Sequence, residues 1–347
     1  MTSPLEFAID TFGDVTFGPD GQKLPQSQVI RNVVAEAVLA DQVGLDYIGL
    51  GEHHRDDFAI SAPEVILGAI AAKTDRIRMG TAVTVLSSDD PVRLFQRFST
   101  LNALSGGRAE VILGRGSFTE SFPLFGLDLA DYGMLFEEKL DLFTQLIRNP
   151  MVSWQGKTRP PLNRQRVYPP LGPEGLKVWI GVGGTPESVV RAVHYDLPMI
   201  LAIIGGSPTR FRPFVDLYQQ AYQQVGNPPK PLGVHSPGYV AESDAQAQED
   251  IWPHYKALHD RIGRERGWPP TTHDHFLNEV TRGSLYVGTP ETVARKIAAT
   301  VRALGLGRFE MKYSSGPLPH EKLMRSIELY GTKVAPMVRD MLATDRV

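Results

Sequence analysis

The sequence predicts a closed (β/α)8 barrel in a single 347-residue domain, and three observations lead there. Eight short apolar runs alternate with helical patterns almost from end to end. No GxGxxG follows the first run, where "DTFGDV" stands instead, so the open doubly wound sheet is the runner-up. Polar and glycine-rich stretches follow several of the runs, as loops sharing one face of a barrel should.

The runs are Leu5–Ile9, Tyr47–Leu50, Ile77–Leu86 and Ala109–Leu113, then Val178–Val182, Met199–Ile204, Leu232–Val240 and Arg308–Tyr313. They are rich in branched residues and mostly apolar on both faces, the pattern of strands covered on both sides. Between them, sets such as Val29, Ile30, Val33, Val34, Ala37 and Val38 recur at helical spacing. A plain barrel needs about 250 residues, so two stretches read as insertions. Residues 149–177 are rich in proline and glycine. Residues 254–285, a long polar stretch before the last βα unit, read as a lid.

Composition narrows the function. With 42% hydrophobic residues there is ample material for a core. A formal charge of −3 with scattered signs offers neither a nucleic-acid nor a membrane surface. The absence of cysteine removes disulfides, thiolate metal sites and cysteine nucleophiles. The first residues, "MTSPLEFAID", lack a signal-peptide pattern and no run is long enough to span a bilayer, so a cytoplasmic location is expected.

Four motifs carry chemistry. "GLGEHHRDD" places His53 and His54 just after the second strand, where a histidine can move a proton near neutral pH. A metal site from His53, His54 and Asp57 is less favoured, because adjacent strand residues face opposite sides. "LGRGSF" offers Arg115 between two glycines, suited to a phosphate or to a loop carbonyl. "GVGGTPES" reads as strand, glycine turn and helix start, with Thr185 at the cap and Pro186 in the first turn. The N–H groups of Gly184 and Thr185 and the hydroxyls of Thr185 and Ser188 could hold an anion, or simply cap a helix. "VGTPETV" has the same chemistry but reads as a structural helix start. "MGTAVTVL" puts small residues inside strand three, leaving room for a flat ligand or making a bend. "HDH" (273–275) is expected to be solvated or part of the lid.

Together these motifs resemble the bacterial luciferase-like family of flavin-dependent oxidoreductases. The pieces that carry the likeness are "GLDYIGLGEHH", "MGTAVTVLSSDDPVRLFQRFSTLNALSGGRAEVILGRG", "DLPMILAIIGGSPTRFRPFVDLYQQA" and the closing "GPLPHEKLMRSIELYGTKVAPMVR". The resemblance implies reduced flavin mononucleotide (FMN) at the carboxyl end of the barrel. It implies oxygen attack on that flavin, and a peroxyflavin that oxygenates a small organic substrate. It assigns catalysis to His53 and the flavin phosphate to Arg115, Gly184, Thr185 and Ser188. It places the ring over Thr81, Ala82 and Val83, often with a non-proline cis peptide. No metal is implied. A separate flavin reductase and a homodimer are the expected partners.

The chain departs from the light-emitting pattern at three places. Gly114 stands for a reactive cysteine, Ile203 for an aromatic wall residue and Phe118 for a tyrosine. Light emission is therefore not expected. The alternatives are a deazaflavin-dependent dehydrogenase and a flavin binder without catalysis, with a metal-dependent barrel hydrolase behind both.

Overall fold

A computed structural model describes residues 4–18, 20–116 and 118–344. Eight parallel strands close on themselves. They are β1 (Glu6–Thr11), β2 (Tyr47–Leu50), β3 (Arg78–Val85), β4 (Ala109–Gly114), β5 (Lys177–Val182), β6 (Met199–Ala202), β7 (Leu232–Val240) and β8 (Arg308–Lys312). Each pairs with the next in order, and β8 returns to β1 through Glu6↔Arg308 and Asp10↔Lys312. All eight expected strands are present, with ends shifted by up to two residues. Helices cover the outer face, and one continuous core of buried aliphatic and aromatic side chains lies between them and the sheet.

Both insertions carry regular structure. Residues 149–177 contain an antiparallel hairpin, Val152–Trp154 with Leu162–Gln165, and a cis peptide before Pro169. The stretch expected as a long polar loop is instead mostly helical. A 23-residue helix, Asp244–Arg266, runs through Pro253, and a second helix follows at His273–Thr281. Ser243 caps the first through Gln246 and Thr272 caps the second through His275. These two caps, and Gly267 at φ 70° ending the first helix, were readable signals that polarity masked.

The barrel interior has two levels. At the amino end of the strands sits a buried ionic cluster. Arg308, 0% exposed, stacks between Tyr47 and Trp179, its guanidinium carbon 4.5 Å from each ring centroid. It donates to Glu6 at 2.7 Å and to Glu110 at 2.8 and 3.1 Å. Arg78 reaches the same two carboxylates at 2.9 and 2.7 Å, and Trp179 Nε1 donates to Glu110 at 3.0 Å. Burial pushes the Glu6 carboxyl up, but Arg308, Lys177 and Arg78 together outweigh it and hold it at about 2. Above this layer lies an apolar one, Ala8, Tyr47, Ala82, Ile112, Trp179 and Ile200.

Removing one member of such a cluster leaves a charge buried without its partner. Arg308→Met should therefore lower unfolding free energy by ~3 kcal/mol in chemical denaturation. A loss under ~1 kcal/mol would mean that Arg78 and Lys177 suffice, since that is the range of an ordinary hydrogen bond. The carboxyl of Glu6 titrates lower in the folded state than in the unfolded chain. Its contribution is thus complete above pH 4.5 and should fade as pH falls towards 2.

Candidate functional site

The carboxyl ends of β2 to β5 converge on one residue, Val83. The peptide between Ala82 and Val83 is cis, and the β3–β4 register shifts there, so Val83 is an extra residue in its strand. Its side chain fills space left by two glycines. A Cβ on Gly114 would lie 2.6 Å from a Val83 methyl, and one on Gly181 would lie 3.2 Å from the other. Two further glycines bring β2 against Ala82. A Cβ on Gly49 would meet the Ala82 methyl at 2.6 Å, and one on Gly51 would meet the Ala82 carbonyl oxygen at 2.9 Å. Gly114 is thus the glycine that admits Val83.

Each candidate group departs from this point. Gly51 leads in two residues to His53, Gly114 is followed by Arg115, and Gly181 precedes Gly184 by one short turn. The structure therefore brings together four of the motifs singled out in the sequence. Thr81 is the exception among the candidate residues. It is fully buried, its hydroxyl directed at the Ile112 carbonyl (3.4 Å) and accepting from Thr84 (2.9 Å). Ala82 and Val83, not Thr81, face the mouth.

His53 is half-buried in an aromatic box. Its ring lies 4.4 Å from Phe12, 4.8 Å from Phe58 and 5.0 Å from Phe118. Burial pushes the imidazole down, the Lys312 ammonium adds to this, and the result is about 3. Such a histidine is neutral at physiological pH and acts as a hydrogen-bonding group. His54 lies beyond the strand, in a loop, and has a different task. Its Nε2 is 2.9 Å from Glu52, whose other oxygen accepts from the Val85 N–H at 3.3 Å. His54 also packs 5.2 Å from Phe125. With Asp57 held by Arg55 and Arg261, the less favoured His53–His54–Asp57 metal set is already committed elsewhere.

Arg115 is half-buried. Its guanidinium lies 5.4 Å from the Tyr132 ring and has no hydrogen bond or ion pair among the described residues. Thr185 occupies the cap position of helix Pro186–His194, but its hydroxyl bonds the Ser188 hydroxyl (2.8 Å) rather than a backbone N–H. No hydrogen bond among the described residues engages the N–H of Gly184, Thr185 or Glu187. Arg191, which the sequence motif did not single out, donates to Ser188 at 3.2 Å and stacks 5.4 Å from Phe136. Arg115 and Arg191 thus touch Tyr132 and Phe136, one turn apart on helix Tyr132–Arg148. The two places face a common wall. Thr289, by contrast, caps its own helix by accepting from the Thr292 N–H and donates its own N–H to Asp244, so "VGTPETV" is a structural helix start.

The helical insertion is fastened beside this mouth. Glu265 receives two bonds from Arg55, each 2.7 Å, and Arg55 also reaches Glu120 (2.9 Å) and covers the Phe118 ring at 4.7 Å. Arg261 pairs with Asp56 and Asp57. At the other end Glu279 accepts from the Gly206 N–H at 3.0 Å. His273 and His275 lie in the first turn of the second helix, His273 5.0 Å from Trp252.

One cluster escaped the sequence reading. Asp10, His235 and Glu310 approach within 4.8 Å of one another inside the barrel. The signal existed: "AIDT" and "GVHS" each put one ionisable residue inside an apolar strand, "RFEMK" puts Glu310 between Arg308 and Lys312 on the same face, and the three strands are neighbours.

The described residues include no helix long and apolar enough to cross a membrane. Comparison with known proteins agrees with the geometry. The family model described as luciferase-like monooxygenase matches residues 11–307. A 4-hydroxyprotoasukamycin monooxygenase of Streptomyces nodosus subsp. asukaensis is 35% identical over 313 residues, covering 85% of this chain and 83% of the relative. Among solved structures, the oxygenating constituent of 3,6-diketocamphane monooxygenase from Pseudomonas putida, in complex with FMN, superposes with a TM-score of 0.77. It is 18% identical, over 96% of this chain and 98% of that one. An F420-dependent secondary alcohol dehydrogenase in complex with an F420-acetone adduct superposes with a TM-score of 0.76. It is 15% identical, over 97% of this chain and 100% of that one. A barrel of eight parallel strands, a mouth converging on the cis-linked Val83 and a family match over 297 of 347 residues lead to one conclusion: this chain belongs to the luciferase-like monooxygenase family.

Proposed function

We propose that this enzyme is a monooxygenase that uses reduced FMN and molecular oxygen on a small organic substrate. The observation that carries the reading is that Arg115, an uncommitted cation, and the open N–H groups of Gly184, Thr185 and Glu187 extend from Gly114 and Gly181, the two glycines packed against Val83. A phosphate between a guanidinium and a helix start gains charge-assisted bonds and the helix dipole together. The residues fit the group: Gly184, at φ 104°, supplies the turn, and Ser188 and Arg191 lie one turn further on. The fold likeness to a protein holding FMN supports the choice of flavin.

When bound, reduced flavin supplies the electrons that activate oxygen. The chain itself does the rest. The Ala82–Val83 peptide and the Val83 side chain form a floor for a planar ring. His53, neutral and boxed by Phe12, Phe58 and Phe118, offers a hydrogen bond beside that floor and can hold or return a proton there. Residues 254–285 serve as the lid, tied to the β2 loop through Arg55 and Arg261, and their role is to exclude water. A flavin reductase supplies the cofactor, and a homodimer is the expected assembly.

The second reading, a deazaflavin dehydrogenase, has the support of the F420-binding fold neighbour. Anaerobic titration with reduced FMN and with reduced F420 separates the two. FMN should bind far more tightly; preference for F420, or no FMN binding at millimolar concentration, would sink the main reading. Arg115→Ala should weaken FMN binding by at least ~1.5 kcal/mol, the lower range for a charged hydrogen bond. An unchanged dissociation constant removes Arg115 from the phosphate. His53→Ala should leave that constant nearly intact while slowing turnover ~10²-fold. In NMR titration the His53 ring should show no protonation step between pH 5 and 8, since that step lies near pH 3. Any limb of the activity profile near pH 6.5 must then come from another group.

A further inference from the structure

The interior cluster of Asp10, His235 and Glu310 has a chemistry of its own. His235 Nδ1 lies 2.8 Å from Asp10 Oδ2. Asp10 is fully buried, whereas 13% of the His235 side chain is exposed. The ring is therefore tied at one nitrogen to a carboxylate in the wall. Its other nitrogen, Nε2, has no hydrogen bond among the described residues and is not a buried orphan. His235 pairs in register with Ala202, the last residue of β6, and its carbonyl accepts from Ile203, so the ring belongs to the mouth level of the barrel.

Behind the pair stands Glu310, 0% exposed, both oxygens without a donor, and Asp10 Oδ1 also lacks one. Two ionised carboxylates cannot share a dry site without a cation or a donor between them. Among the described residues, no hydrogen bond from a neighbouring cation reaches Glu310 or Asp10 Oδ1. Arg308 gives Nε and Nη2 to Glu6 and Glu110, and its buried Nη1 makes no hydrogen bond to Glu310; Lys312 is spent on Asp14 and Ser314, and the Tyr47 hydroxyl donates to the Thr81 carbonyl. A single proton on Glu310 resolves the conflict, because a neutral carboxyl can donate to Asp10 Oδ1 and leave Asp10 charged. Burial pushes the Glu310 carboxyl well above the usual range, and the Asp10 charge adds to it.

We propose that His235 is a second proton acceptor at the barrel mouth, oriented through Nδ1 by an ionised Asp10, with Glu310 carrying the proton that keeps Asp10 charged. The arrangement is that of a base held by a buried carboxylate, with Nε2 presented to a hydroxyl, N–H or acidic C–H of a bound ligand. It is independent of which flavin occupies the mouth, and it gives the enzyme a base on the side of the barrel formed by β7, β8 and β1, whereas His53 follows β2. The charged and titratable groups facing the cluster are Arg308 on β8 with Tyr313 just after it, Tyr47 on β2, Glu110 on β4 and Tyr330.

The test uses the ligand-free full chain. Infrared spectra at neutral pH should contain the carbonyl stretch of a protonated carboxylic acid that moves in D2O and vanishes in Glu310→Gln. Nitrogen-15 NMR, assigned with His235→Asn, should find the His235 proton on Nδ1 and a bare lone pair on Nε2. Asp10→Asn should move that proton towards Nε2. Absence of the infrared band, its survival in Glu310→Gln, a proton on Nε2 in the wild type, or a stoichiometric divalent ion in elemental analysis would each overturn the proposal. These readouts involve no flavin, so they can succeed or fail separately from the FMN titration.

Discussion

Arg308 is the side chain on which the rest of the barrel depends. A closed eight-strand barrel must fill its centre, and an all-aliphatic filling would extend to both ends. Here the amino end is filled by a guanidinium stacked between Tyr47 and Trp179 and bonded to Glu6 and Glu110. Arg308 and Glu110 are buried there, and Arg78, Lys177 and Glu6 close the layer at its partly exposed rim. The carboxyl end is relieved of the filling task, and Gly49, Ala82, Gly114, Gly181 and Ala202 can stand at the upper ends of their strands. Small residues there would leave voids in a barrel packed uniformly; above the ionic layer they make a working surface.

That surface is organised by close approach. Four missing side chains, at Gly49, Gly51, Gly114 and Gly181, let β3 bulge inward at Ala82–Val83 without collision. The consequence reaches outward along three loops at once, since the residues after those glycines include His53, Arg115 and Gly184. Packing in the sheet and placement of polar groups at the mouth are therefore one problem. A side chain at Gly114 would displace Val83 and, with it, the spacing between the histidine and the arginine.

Paired histidines after β2 divide their labour through their surroundings. Three aromatic rings and the Lys312 ammonium keep the first one uncharged. The second is consumed by Glu52, which in turn fixes the backbone at Val85. The acidic tail of the same motif pairs with Arg261 of the long insertion helix, and Arg55 pairs with Glu265 of that helix, so "EHHRDD" couples the mouth to its neighbouring cover. In a chain of net charge −3, these local pairs matter more than any global field.

Strand count, strand order and the family likeness were determined by the sequence itself, because short continuous apolar runs and helical patterns of period 3.6 are local properties. The glycine–proline helix start at 184–188 and the arginine between glycines were legible for the same reason. Three matters waited for the tertiary structure. Residues 254–285 were polar enough to pass for a loop, yet their caps and long-range pairs make them helical. Thr81 belongs to a site motif, yet its hydroxyl is directed at the Ile112 carbonyl and bonded by Thr84, a neighbourhood that the folded β3–β4 pair creates. Asp10, His235 and Glu310 are separated by 225 and 75 residues along the chain, and only closure of β8 onto β1 puts them side by side. Closure is a global event, and the burial that sets the protonation of Glu310 comes into being with it.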